Sequence, residues 1–207
     1  MKKRCELYLR FRAHELPTAA ELEAIIGKAD PAALLITEIS GAVAENSLAS
    51  LISAAQGQNL AVLIEDDVSL AKKLDADGVH LRARSGAPSE ARRLLGENKS
   101  VGASCVLSRH EAMVMAEEGA DYIAFGEFGG PDTARGGAVA DMIHWWDELF
   151  EAPCVAWVWS QDDEAQIETL VRAGADFLAI DAGPSGRIDR LARIRTMLAA
   201  PAAGAAS

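Results

Sequence analysis

Three acidic side chains stand in a row at Glu65-Asp66-Asp67. Carboxylate oxygens are hard ligands, and one or two of them are what Mg²⁺ usually takes from a protein. Acids also suit a helix start, where they face the positive end of the dipole. Asp67 therefore reads as a helix cap, and Asp66 as a contact for a metal or a substrate. A second stretch, Gly183-Pro184-Ser185-Gly186-Arg187, has the makings of a phosphate cradle. Gly183 and Gly186 let backbone approach an anion, N–H groups at a helix start point at it, and Arg187 adds charge. Ser185 serves equally well as an ordinary N-cap. Other groups able to grip a small anion or carry a proton are Arg10, Arg12, Glu38, Arg82, Ser104, Glu127 and Asp181. His80, inside an apolar run, reads as a core histidine holding a backbone carbonyl.

These residues need a scaffold that brings them together. Apolar runs at 6–11, 33–39, 60–65, 78–82, 100–105, 122–128, 154–160 and 177–181 read as strands. Amphipathic stretches at 18–28, 44–56, 67–75, 88–95, 108–118, 139–150, 162–173 and 186–199 read as helices. Thr18 with Glu21 three places on predicts a capping box, and Gly96 a helix stop. Strict strand–helix alternation implies right-handed crossovers and a parallel sheet. Eight such units predict an α/β fold with a single (β/α)8 TIM barrel over residues 1–198, a doubly wound open sheet being the competitor. The Ala-rich end, 199–207, reads as a disordered tail.

An Ala-Asp pair recurs at Ala29-Asp30, Ala76-Asp77, Ala120-Asp121 and Ala175-Asp176, before every second strand. These turns fall on the bottom face of such a barrel and read as structural. The candidate site residues fall at the C-terminal strand ends, the face where such barrels act. Charges gathered there can bind an anion, bind a metal, or neutralise one another.

Net charge is −11, which disfavours nucleic acid as a partner. No apolar run is long enough to span a membrane. The odd set Cys5, Cys105 and Cys154 matches no metal spacing and reads as reduced core thiols, with a catalytic thiol at Cys105 the alternative. Reduced thiols point to the cytoplasm. Trp145-Trp146 lies mid-helix and reads as core or as a subunit contact, compatible with a homodimer.

The residues Asp66-Asp67-Val68 and Asp77-Gly78-Val79-His80-Leu81 resemble the third and fourth units of thiamine phosphate synthase. Gly102-Ala103-Ser104, Glu118-Gly119-Ala120-Asp121-Tyr122-Ile123 and Gly126 resemble its fifth and sixth, and Ala173-Gly174-Ala175-Asp176 the turn before its last strand. The likeness runs from about residue 6 to 198 and extends to a superfamily that includes thiazole tautomerases. It implies thiamine biosynthesis: a transferase joining a pyrimidine diphosphate to a thiazole phosphate, with Mg²⁺ and basic groups stabilising the leaving diphosphate. The resemblance gives Asp66 to the metal, and Ser104 and Thr133 to the substrate. It also marks departures. A Gln-x-Arg-x-Lys grip is Ile36, Glu38 and Ser40 here; Gly-Gln-x-Asp is Arg82-Ala83-Arg84-Ser85; a Gly-Gly cup is Val158-Trp159. The tautomerase histidine has no counterpart except His110, nearby in the next helix.

Three functions fit these residues. One is the synthase reaction. The second is an isomerase or lyase acting on another small phosphorylated or carboxylated metabolite, with Glu65, Arg82, Glu127 and Asp181 as working groups. The third is a non-catalytic barrel binding a ligand or partner, with Trp157 and Trp159 filling the pocket.

Overall fold

The computed structural model describes residues 4–40, 45–83, 85–126, 136–159, 162–183 and 188–199. Eight strands alternate with eight helices: β1 Glu6–Arg12, α1 Ala19–Ala29, β2 Ala33–Thr37, α2 Glu45–Gln56, β3 Ala61–Glu65, α3 Val68–Lys73, β4 Gly78–Leu81, α4 Pro88–Leu95, β5 Ser100–Ser104, α5 Arg109–Glu117, β6 Tyr122–Phe125, α6 Gly137–Leu149, β7 Cys154–Val158, α7 Glu164–Arg172, β8 Phe177–Asp181 and α8 Ile188–Ala199. Each strand pairs with the next, and β8 returns to β1, closing the barrel. All eight pairings are parallel, so the open sheet is excluded.

Side-chain alternation divides the core in two. On β1, Leu7, Leu9 and Phe11 point outward into the layer shared with the helices, where they meet Leu22, Ile25 and Ile52. Tyr8 points inward with Leu35, Leu63, Ala124, Val155, Trp157 and Ala179 and fills the barrel. Trp146 belongs to the outer layer. Its ring stacks on Phe150 at 4.0 Å and its Nε1 donates to the Ala152 carbonyl at 2.7 Å. Trp145 is half-buried, edge-on to Phe150 and under the Arg109 guanidinium at 4.9 Å.

Helix starts follow the sequence signals. Thr18 and Glu21 form the capping box, Asp67 caps α3 through the Leu70 N–H at 2.8 Å, and Asp163 with Gln166 forms a second box. Such caps contribute about 1 kcal/mol each. Gly96 ends α4 at φ 88°.

The repeated aspartates have a common physical role. Asp77 donates its N–H to the Val62 carbonyl and accepts the Val62 N–H on its carboxylate, both at 2.8 Å. Asp121 does the same to Val101, and Asp176 to Cys154. Each aspartate thereby staples the start of its own strand to that of the preceding strand, β3, β5 or β7. Asp30 differs. It takes a left-handed conformation at the end of α1, and its carboxylate pairs with Arg195 at 2.9 Å.

Several strands stop earlier than the apolar runs suggest. β2 ends at Thr37, because Glu38 turns left-handed at φ 55°, and β3 ends where Asp66 does so at φ 57°. These breaks swing the next side chains over the barrel mouth. Among the described residues, no helix is long and apolar enough to cross a membrane.

Candidate functional site

Among the described residues, three side-chain groups lie at or beneath the mouth of the barrel. The first is built on β1. Arg10 and Arg12 share the inward parity of Tyr8, and barrel closure sets Arg10 in register with Asp181 of β8. Asp181 is buried; its Oδ2 accepts from Arg12 Nη2 at 3.1 Å and lies 3.7 Å from Arg10 Nη1. Glu38 reaches over from β2, its Oε1 2.8 Å from Arg10 Nη2 and 3.3 Å from Arg12 Nε. Glu15, in a short 3-10 turn after β1, accepts from Arg12 Nη1 at 2.9 Å. Gly183 follows β8 and is buried against this group: a Cβ on it would meet the Glu15 carboxylate at 2.4 Å. Burial works against the Arg12 charge, but Asp181, Glu15 and Glu38 outweigh it and hold the guanidinium's proton more firmly than usual.

The second group joins β3 to β4. The Asp66 N–H donates to the His80 carbonyl at 3.0 Å, which pins the two strand ends together. The Asp66 carboxylate then meets Arg82. Oδ2 accepts from Arg82 Nε at 2.5 Å, and Oδ1 accepts from the Arg82 N–H at 2.8 Å and from Ser85 Oγ at 2.5 Å. Burial raises the proton affinity of Asp66, but these hydrogen bonds and the Arg82 charge more than reverse it, and the carboxyl titrates below its ordinary range. Glu65 points inward beside them, 3.9 Å from Arg82 Nε. Burial pushes its carboxyl up; Arg82 and Arg10 pull it down, and Asp66 pushes it up again, leaving a net rise. Glu65 thus lies within the fields of both groups.

The third group lies deeper. His80 Nε2 is 2.9 Å from Ser104 Oγ, and its Nδ1 is 2.9 Å from the Tyr122 hydroxyl, itself 2.9 Å from the Tyr8 hydroxyl. His80 is a core histidine, as its setting suggested, but side-chain hydroxyls take the place of the expected carbonyl. Its ring stacks on Tyr122 at 5.7 Å and meets Trp157 edge-on at 6.0 Å. Burial drives the His80 pKa down to about 4, so the imidazole is neutral. Gly102 makes the stack possible, since a Cβ there would fall 1.9 Å from Tyr122 Cζ. Trp157 is not at the mouth: it is buried and fills the interior below it. Trp159 follows β7 and is half-buried. Its N–H donates to Asp162 Oδ2 at 2.7 Å, and its carbonyl accepts from Arg190 of α8 at 3.0 Å. The N–H that a glycine cup would turn toward a phosphate is thus engaged by a carboxylate.

The structure therefore gathers Glu38, Asp181 and Gly183 around Arg10 and Arg12, sets Glu65, Asp66 and Arg82 beside them, and places Ser104 beneath. Glu127, Thr133, Ser185, Gly186, Arg84 and Arg187 lie outside the described residues. Glu15, Tyr122, Ser85, Asp162 and Arg190 are contributors that residue type alone did not single out; the inward parity of Tyr122 with Ala124 was the available signal for one of them. Cys105 faces the outer layer, and burial pushes its thiol up to about 12. That removes the catalytic-thiol alternative.

The resemblance implies Mg²⁺ at Asp66, but the surrounding residues do not fit it. The ion needs near-octahedral oxygen ligands with room for water. Both oxygens of Asp66 already accept hydrogen bonds, one from a guanidinium. Among the described residues, no group of three or more His, Cys, Asp or Glu is placed to hold a metal.

Comparison with known proteins matches residues 18–182 to the sequence model of the family described as thiamine monophosphate synthase. The thiamine-phosphate synthase of Erythrobacter litoralis is 44% identical over 126 residues, 59% of this chain and 58% of that protein. The enzyme of that name from Azoarcus sp. is 35% identical over 150 residues, 71% of this chain and 70% of that protein. The chain spans about three-fifths of the length of the most similar of these relatives, 58%, 62% and 61%. Among solved structures, thiamine phosphate pyrophosphorylase from Pyrococcus furiosus superposes with a TM-score of 0.74 at 19% identity, covering 95% of this chain and 96% of that one. At 19% identity this likeness speaks for the fold alone.

Proposed function

Because the chain belongs to the thiamine monophosphate synthase family, we propose that it is a divergent enzyme of that family, holding a small phosphorylated or carboxylated metabolite of thiamine biosynthesis or of a neighbouring reaction at the mouth of its barrel. The observation that carries this reading is the pair of guanidiniums that β1 sends to the mouth. Arg10 and Arg12 are oriented from behind by the buried Asp181 and capped from the open side by Glu38, whose side chain is 48% exposed. A ligand phosphate or carboxylate can exchange for Glu38 on the same nitrogens, with bidentate, charge-assisted hydrogen bonds.

The remaining residues then have roles. Ser104, with its hydroxyl fixed by neutral His80, offers one directed hydrogen bond to the body of the ligand. Glu65 keeps its proton more readily than an ordinary carboxyl and faces the same space, which suits a group that gives or takes a proton. If the reaction is the synthase one, the departing diphosphate is stabilised by these guanidiniums.

A non-catalytic binding barrel is the second reading. It is favoured by one observation: among the described residues, Trp157 and the Tyr8–His80–Tyr122 cluster fill the interior beneath the mouth.

Incubation of the purified chain with both thiamine precursors, followed by measurement of thiamine phosphate, tests the synthase form directly. Product formed at a steady rate supports the transferase. No product, together with stabilisation by some other phosphorylated or carboxylated compound in a thermal-shift series, supports the divergent enzyme or the binding barrel. No product and no stabilising anion would end the anion-site reading.

A further inference from the structure

The mouth between β3 and β4 carries a charge arrangement that the anion site does not by itself require. The left-handed Asp66 turns its carboxylate across to β4. There it receives three hydrogen bonds, from Arg82 Nε, from the Arg82 N–H and from Ser85 Oγ. The guanidinium also lies 3.9 Å from Glu65. One fixed positive charge thus bridges two adjacent carboxylates. A divalent cation drawn to those oxygens would have to displace the guanidinium from hydrogen-bond contact, and then sit against its charge. Ser85, the other side chain that donates to Asp66, is neutral and adds no compensating oxygen anion. Arginine also keeps its charge at any working pH.

We infer that the guanidinium of Arg82, bridging Asp66 and Glu65, occupies the position of a divalent cation, so that this barrel takes up its anionic ligand without a metal. The inference rests on the reading above only for the ligand; occupation of the cation position stands by itself and is tested without one.

The experiment is a Mn²⁺ titration of the full chain followed by electron paramagnetic resonance. The wild type, Asp66→Asn and the double variant R82G/S85D are compared, with thermal melts confirming that each is folded. Wild type takes up no Mn²⁺ at Asp66. Weak uptake that survives in Asp66→Asn lies elsewhere on the acidic surface and agrees with this. Saturable uptake that Asp66→Asn abolishes overturns the inference. The double variant, freed of the guanidinium and given a second carboxylate, gains Mn²⁺ affinity by about tenfold or more. If it is folded and gains nothing, Arg82 is not what keeps the cation out, and the assignment falls. Should the double variant misfold, the first two proteins decide the matter.

A second arm uses inorganic diphosphate. Its stabilisation of the wild type is expected to be equal in EDTA and in Mg²⁺, and weakened in Arg82→Gln, which leaves Glu65 and Asp66 unneutralised beside the anion. Stabilisation that requires Mg²⁺ contradicts the inference. No stabilisation under either condition counts against the anion site, while the Mn²⁺ result still decides the cation position.

Discussion

Asp181 Oδ2 lies 3.1 Å from Arg12 Nη2, joining the last strand of the barrel to the first across its seam. The carboxylate is almost wholly buried, and Arg10 lies on its other side at 3.7 Å. Removing the charge takes the buried anion from between the two guanidiniums and leaves them sharing only the more exposed Glu38. Asp181→Asn is expected to lower stability by about 3 kcal/mol, read from urea denaturation. A change under about 0.5 kcal/mol, the range of ordinary surface substitutions, would mean that the seam is held by packing alone.

Glu38 acts as an internal competitor for the same guanidiniums. Its exposed position limits what the ion pair contributes, so Glu38→Gln should tighten binding of inorganic diphosphate modestly, about two- to fivefold. Calorimetric titration at low ionic strength checks this. Weaker binding in the variant would place Glu38 among the groups that hold the ligand.

His80 makes stability depend on pH. Its pKa is about 4 in the folded chain against an ordinary 6.5. The unfolded chain therefore binds the proton first as pH falls. The contribution is complete above the unfolded value, declines from about pH 6.5 and is fully lost below about pH 4, a total of about 3 kcal/mol. Glu65, shifted upward, works in the opposite sense, so the comparison must be between wild type and His80→Gln. The variant should show a flatter decline of stability from pH 7 to 5. Parallel curves would mean that burial does not lower the proton affinity of His80 in the folded protein.

The repeated aspartates were legible as a repeat, but their work was not. Sequence spacing places them before alternate strands; only the fold shows Asp77, Asp121 and Asp176 closing a two-bond ring onto the strand before. Asp77→Ala leaves the Val62 N–H without its carboxylate partner and should cost about 1–3 kcal/mol. Asp30→Asn keeps a residue suited to the left-handed turn, removes only the ion pair with Arg195 and should cost under about 1 kcal/mol. Equal costs would break the distinction between them.

The same contrast runs through the site. The strand–helix alternation announced the barrel, and the barrel announced which ends of the strands carry chemistry. Thus Glu38, Glu65, Arg82 and Asp181 could be singled out from type and place. What they do to one another could not. Arg10 and Asp181 are far apart in the chain and meet only because the barrel closes, and Asp66 reaches Arg82 only because its backbone turns left-handed. A carboxylate that looked like a metal ligand is, in its surroundings, an arginine partner. The inward parity of Tyr122 with Ala124 was readable, but its stacking on His80 was not, because that depends on the absence of a side chain at Gly102.

The three thiols offer a simple check of the core. Burial pushes Cys5, Cys105 and Cys154 each up to about 12. The native protein should react only very slowly with a disulfide reagent at neutral pH, and all three thiols should react once it is denatured. Rapid modification of one thiol in the native state would show that the outer layer opens there.

We propose above all that Arg10 and Arg12 bind a small anionic metabolite at the mouth of this barrel. The most direct test is calorimetric titration of thiazole phosphate, pyrimidine diphosphate and inorganic diphosphate into the wild type and into Arg12→Gln. Saturable binding of at least one of them, weakened about tenfold or more by loss of a charge-assisted contact, is the predicted result. Absence of binding by all three, or binding indifferent to Arg12, would contradict it.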